Sequence, residues 1–117
     1  MAVIVLINVF TVKPADQDRL IDLLTRATDG WVAAAPGFLS AVLHRGLDGS
    51  KVTMYARWAS REAYEAMRAD PGPSALLEEA LSFSRFEMGM YEVTKTFEPT
   101  SGRGGATAPG PRTGRPR

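Results

Sequence analysis

The chain has 117 residues, of which 44% are hydrophobic and 23% charged, so it is long enough for one domain with a modest core. It contains no cysteine and one histidine, which excludes disulfides, thiol chemistry and a structural zinc or iron–sulfur site. No apolar run approaches the roughly 20 residues of a membrane-spanning helix, so we expect a cytoplasmic protein with no membrane partner.

The net charge of +1 is divided unevenly along the chain. Residues 100–117 contain four arginines and no acidic residue, which leaves the preceding part acidic. This segment has no large apolar side chain and cannot offset its ordering entropy, so we predict a folded domain at 1–99 and a disordered tail at 100–117. A basic tail can contact nucleic acid, but this one has no aromatic residue on which a base could stack. We therefore expect no nucleic-acid partner.

The first predicted element is a β-strand at residues 2–12. Apolar side chains occur at both odd and even positions of this strand, and so on both of its faces. Asn8 lies on the same face as Ile4, Leu6 and Phe10. A strand with two apolar faces is covered on both sides. We then predict an amphipathic helix from Pro14 to the Pro36-Gly37 break, with Trp31 in its buried stripe.

Two further strands are predicted at residues 38–47 and 51–58, joined by a hairpin turn at Asp48-Gly49. Ser60 is a plausible N-cap for the next helix, which the residues 70–73 interrupt. A short helix begins at Ser74, and residues 84–97 form the fourth strand.

This order predicts an α+β domain of the ferredoxin-like βαββαβ type, with a four-stranded antiparallel sheet. Its helices cover one face of the sheet only. The other face is also predicted to be apolar, and exposed apolar faces of this size mark interfaces. A two-fold homodimer, in which two sheets form a dimeric α+β barrel, satisfies this pattern. The residues assigned to that second face are Val3, Val5, Ile7, Val9, Leu39, Ala41 and Leu43.

Three residues are candidates for chemistry, and each has a structural alternative. Asn8 is a polar amide in an apolar strand, so it either contacts a ligand or bonds to neighbouring backbone. His44 can accept a proton near neutral pH or can be a surface residue. Trp58 can line a pocket or belong to the core. Parity places His44 with Phe38, Ser40 and Val42 on the face that would carry the pocket.

The segments INVFTVKP (7–14), PGFLSAVLHRGLDGSKV (36–52) and YARWASREAYEAM (55–67) resemble the antibiotic biosynthesis monooxygenase family. The resemblance implies the dimeric α+β barrel inferred above from the pattern. It also implies active-site roles for Asn8 and Trp58, as in members that oxidise phenolic polyketides to quinones with O₂ and without metal or flavin. Those members carry a second asparagine four residues before the tryptophan, where this chain has Met54.

The resemblance predicts a monooxygenase that acts on a polycyclic aromatic phenol, anthrone or quinol with O₂ and no cofactor. Asn8, Trp58 and His44 are then the catalytic candidates. We expect the aromatic rings to contact Phe10, Met54, Met67, Leu77 and Met88. Two alternatives stay open: a C–C cleaving oxygenase that uses reduced flavin as co-substrate, for which a strand-two histidine such as His44 matters, and a non-oxidative polyketide cyclase or binding protein. The haem-degrading branch is not favoured, because residues 73–79 hold no histidine.

Overall fold

A computed structural model describes residues 3–100 of the chain. The predicted disordered tail falls almost entirely on residues 101–117, which lie outside the described residues. The bounds of the elements are β1 Ile4–Val12, α1 Gln17–Gly30, β2 Phe38–Arg45, β3 Lys51–Trp58, α2 Arg61–Arg68, α3 Pro71–Leu81 and β4 Ser84–Tyr91, with 3₁₀ turns at Pro14–Asp16 and Val32–Ala34.

The four strands form one antiparallel sheet in the order β2-β3-β1-β4. The helices pack on one face, which we call the inner face, and we call the opposite one the outer face. This arrangement confirms the predicted ferredoxin-like α+β fold. β3 and β1 are the two central strands, so the middle residues of each are flanked by neighbouring strands on both sides.

The β2–β3 hairpin turns at the predicted Asp48-Gly49 pair. Gly49 has a φ of 87°, a left-handed conformation in which glycine avoids a Cβ clash. The carboxylate of Asp48 accepts hydrogen bonds from the Ser50 backbone N–H at 2.9 Å and from the Ser50 hydroxyl at 2.8 Å. The buried Gln17 side chain then ties α1 to this hairpin, since its Nε2 donates to the carbonyl of Gly46 at 2.9 Å.

Two helix predictions differ from the structure. The first helix ends at Gly30 rather than at Pro36, and Trp31 is 43% exposed instead of belonging to the core. The last helix starts at Pro71 rather than Ser74, because Asp70 caps it by accepting from the Gly72 N–H at 2.9 Å. Proline is favoured at the first helical position, so residues that looked like a break begin a helix.

The core lies between the inner face and the helices. Its buried side chains come mainly from β1, β3 and α1, and include Leu6, Phe10, Leu20, Leu23, Val52 and Trp58. Among residues 3–100, no helix is both long enough and apolar enough to cross a membrane.

Candidate active site

A cavity with a free volume of about 110 Å³ lies between the inner face and the helices. This is smaller than the roughly 300–1,000 Å³ of typical small-molecule sites, so a large ligand would have to displace flexible side chains. The sheet contributes Leu6, Asn8, Phe10, Phe38, Ala41, Met54, Ala56, Trp58 and Phe86, and the helical layer contributes Leu24, Ala27, Thr28, Val32, Tyr64, Met67, Arg68, Pro73 and Leu77.

Asn8 places an amide in the middle of this mostly apolar surface. It lies on the central strand β1, directly opposite Met54 of β3 and Met88 of β4. Its Oδ1 is buried and has no hydrogen-bond partner among the described residues. A buried acceptor without a partner costs about 1–3 kcal/mol, because water has been removed and nothing replaces it. Asn8 is therefore free to accept a hydrogen bond from a ligand.

Trp58 forms one wall of the cavity and is 1% exposed. Its ring makes edge-to-face contacts with Phe38 at a centroid distance of 5.4 Å and with Tyr64 at 5.9 Å. Such contacts fix the orientation of the indole. Trp58 ends β3, and Ser60 caps α2 two residues later by accepting from the Ala63 N–H at 3.1 Å. The short connection keeps the indole next to the first turns of α2.

Tyr64 and Arg68 are two further lining residues that the sequence analysis did not select. They lie four residues apart on α2 and therefore share one face of the helix. Burial raises the pKa of the Tyr64 phenol above its usual range, and the positive charge of Arg68 opposes that shift. Tyr64 is thus a neutral phenol at neutral pH. The signal for both residues was their i, i+4 spacing on a helix that follows Trp58 directly.

Four of the predicted ring contacts, Phe10, Met54, Met67 and Leu77, line the cavity. Met88 does not. It lies on the same face of the sheet, as the partner of Asn8 in the β1–β4 register, but it is 44% exposed. The edge strand β4 leaves this side chain outside the cavity.

His44 does not reach the cavity, and the face predicted for it is wrong. A register shift between Phe38 and Ser40 reverses the alternation of β2, so His44 pairs with Thr53 on the outer face. Its Nδ1 lies 3.2 Å from the carbonyl oxygen of Thr53. The same shift turns Ala41 and Leu43 inward, where they pair with Ala56 and Met54, although both were assigned to the outer face.

The sequence model described as "Antibiotic biosynthesis monooxygenase" matches residues 3–78. The chain belongs to this family. Members of the family include a curated relative, the tetracenomycin-F1 monooxygenase of Streptomyces glaucescens, which is 39% identical over 99 residues. That alignment covers 85% of this chain and 88% of the relative. The predicted family is confirmed, and with it the prediction that the chain is a monooxygenase.

Two solved oxygenase structures show the same fold. The ActVA-Orf6 monooxygenase of Streptomyces coelicolor, described in complex with nanaomycin D, superposes with a TM-score of 0.75 at 31% identity, covering 85% of this chain and 94% of that one. SnoaB of Streptomyces nogalater, described as a cofactor-independent oxygenase, has a TM-score of 0.72 at 24% identity, covering 82% and 97%. At 24% identity, the similarity to SnoaB is evidence for the fold only.

Two further observations concern which polar groups this antibiotic biosynthesis monooxygenase has at its cavity and whether it could hold a metal ion. Met54, which stands where the resemblance implies an asparagine, lies directly across the β1–β3 ladder from Asn8. A second amide at that position would face the first, so its replacement leaves Asn8 as the amide of the cavity. Within residues 3–100, no group of three or more His, Cys, Asp or Glu side chains is arranged to hold a metal ion.

Proposed function

We propose that this chain is an O₂-dependent, cofactor-independent monooxygenase that oxidises a polycyclic aromatic phenol of polyketide type to a quinone. The observation that carries the proposal is the unpaired Oδ1 of Asn8 inside a mostly apolar, aromatic-lined cavity. A flat ring system fits the apolar walls, and a phenolic O–H supplies the missing hydrogen bond.

The polarity of that hydrogen bond distinguishes substrate from product. A carbonyl oxygen such as Oδ1 accepts hydrogen bonds and does not donate them. A phenol offers it a hydrogen, whereas a quinone carbonyl at the same place offers none. A quinone carbonyl can pair only with the Nδ2 group of Asn8, which donates, so oxidation changes which end of the Asn8 amide contacts the ligand.

The substrate itself supplies the electrons in the proposed reaction. Loss of a proton from an anthrone-type ring, taken up by water, gives an enolate that reduces O₂ and forms a C–O bond to it. The resulting peroxide is protonated and loses water, so that one oxygen atom stays as the quinone carbonyl and the other leaves in H₂O. Overall the ring carbon loses two hydrogens and gains one oxygen from O₂.

We assign the protonation of the peroxide to two residues that line the cavity. Tyr64 is protonated, because burial raises its pKa, and can donate a hydrogen bond or a proton to the developing negative charge. Trp58 lines the same cavity in contact with Tyr64, and its indole N–H is the second donor in this proposal. Fixed donors in a water-poor site stabilise developing charge more strongly than water does.

The relatives support the substrate class. The curated relative is named for tetracenomycin F1, and the ActVA-Orf6 structure contains nanaomycin D. The flavin-dependent alternative relied on a histidine in the pocket, and His44 is not placed there within this chain. Cofactor independence is the description given to SnoaB, and we extend it to this chain as part of the proposal.

We propose further that two copies associate through their outer faces. That face leaves large apolar side chains in solvent, including Leu39 at 44%, Val42 at 50% and Tyr91 at 52% exposure. Covering them with a second sheet removes this apolar surface from water on both copies.

The test is oxygen uptake with an anthrone as substrate, in the presence of a metal chelator and without flavin. We expect consumption of one O₂ for each quinone formed. Turnover that requires added reduced flavin contradicts cofactor independence. Conversion of a polyketide substrate under argon, without oxygen uptake under air, contradicts the monooxygenase and indicates a cyclase.

A further inference from the structure

Arg68 is the one charged side chain among the described residues that line the cavity. It ends α2 and is exposed to solvent on its other side, which places it at the mouth of the cavity. The ion pairs formed among residues 3–100 join Arg26, Arg45 and Arg61 to nearby carboxylates, and none of them includes Arg68.

The direction of the Arg68 side chain follows from the helix. Arg68 and Tyr64 share one face of α2, and the guanidinium is close enough to the phenol for its charge to act on the ionisation of Tyr64. Tyr64 in turn touches the indole of Trp58. The cation therefore lies next to the aromatic wall of the cavity, at its solvent-exposed edge.

A guanidinium without a carboxylate partner is suited to bind a planar oxyanion. It presents several N–H donors in a rigid fork and stays charged at all relevant pH values. Hydrogen bonds between ionised partners are roughly twice as strong as neutral ones. The folded part of the chain is acidic overall, so this positive site is local and not part of a general basic surface.

We propose that Arg68 is a specificity-determining residue that binds an anionic oxygen group, a carboxylate or an ionised phenol, on the end of the polycyclic substrate at the cavity mouth. The proposal rests on the proposed function only in placing the ring system in the cavity. Asn8 then contacts one neutral hydroxyl inside, and Arg68 contacts the anion at the edge. Two polar contacts of different charge fix which end of a flat, apolar molecule enters first.

The experiment measures binding of quinones, which the enzyme cannot oxidise further, to the full chain by quenching of tryptophan fluorescence. Anthraquinone-2-carboxylate is compared with the uncharged anthraquinone-2-carboxamide, and 2-hydroxyanthraquinone is added as its phenolate. The variants are Arg68→Gln and Arg68→Lys. Arg61→Gln is the matched control, because Arg61 lies on the same helix, is paired with Glu65 and does not line the cavity.

We expect the wild type to prefer the carboxylate over the carboxamide by about tenfold, the effect of one charge-assisted hydrogen bond at an exposed edge. Arg68→Gln should abolish the preference, Arg68→Lys should retain part of it, and Arg61→Gln should leave it unchanged. High salt should reduce the preference in the wild type. Dependence on Arg68 for the phenolate alone identifies the ionised phenol as the anion.

Equal binding of all three ligands to the wild type, or an anion preference that persists in Arg68→Gln, overturns the proposal. Neither result bears on oxygen uptake with an anthrone. Conversely, an anion preference that depends on Arg68 stands even if the chain consumes no oxygen, so the two proposals fail separately.

Discussion

Replacing Asn8 by leucine should make the protein more stable and much less active. Leucine has the same γ-branched shape as asparagine but a larger side chain, and the cavity of about 110 Å³ beside residue 8 has room for it next to the apolar neighbours Leu6 and Phe10. The change removes a buried acceptor that has no partner, and with it a penalty of about 1–3 kcal/mol. For a domain of this size, 1 kcal/mol corresponds to a shift in Tm of roughly 4–8 °C.

The loss of activity has a different origin. If the Asn8 amide orients the phenol through Oδ1 and its Nδ2 group donates to the oxygen as negative charge develops, removal of the amide should lower kcat by roughly 10²-fold, the cost of losing one such donor. Thermal unfolding is followed by circular dichroism at one fixed protein concentration, since an associating protein has a concentration-dependent Tm. Turnover is followed by oxygen uptake on the same samples.

Met54→Leu is the matched control for stability, because Met54 lies directly opposite Asn8 and the exchange is apolar for apolar. Such exchanges change the free energy of unfolding by less than about 1.5 kcal/mol. A lower Tm for Asn8→Leu would refute the reasoning, since it would mean that the amide is satisfied in the folded protein. Unchanged turnover would remove Asn8 from the substrate contacts.

Three further predictions concern the same sheet and cavity. Met54→Asn should raise turnover several-fold, because it places a second amide opposite Asn8, and should lower Tm, because that amide enters the apolar layer. No gain in oxygen uptake would contradict the expected rise in turnover. Because burial raises the pKa of Tyr64, its phenol ionises above pH 10, and the protein should lose stability as the pH rises toward the pKa of the folded state. Arg68→Gln removes the charge that lowers this pKa, so it should move the absorbance titration of the phenol to still higher pH. Val42→Asp should convert a dimer to a monomer in light scattering, since Val42 is half exposed on the outer face; a wild-type monomer would refute the proposed association.

The sequence was sufficient for the parts of the fold that depend on local signals. The Asp-Gly turn led to the β2–β3 hairpin, and the alternation of β1 placed Asn8 on one face with Leu6 and Phe10; the structure confirms both. The beginning of α3 was missed because Asp70-Pro71 is both a common break and a common N-cap with a proline at the first helical position. Only the packing of the helix distinguishes the two.

The face of His44 could not be predicted from alternation. Residues 38–43 are apolar at nearly every position, so neither parity is excluded by its polarity. The register shift after Phe38 then moves every later side chain of β2 to the other face. One irregularity thus separates His44 from Asn8 and Trp58, while it brings Ala41 into the cavity wall.

The position of Asn8 favours a ligand-binding role for the cavity over a packing defect. β1 is hydrogen-bonded on both sides, and a polar side chain at its centre can neither turn to solvent nor reach a sheet edge. An apolar residue there would be more stable, so the amide has a stability cost that core packing does not explain. Met54 opposite offers no second amide, and the other polar side chains that line the cavity include Tyr64 and Arg68 on α2. Under the two proposals above, selectivity depends on the distance between one neutral amide on the sheet and one cation on the helix, which sets the length and charge of the aromatic molecule that both can bind.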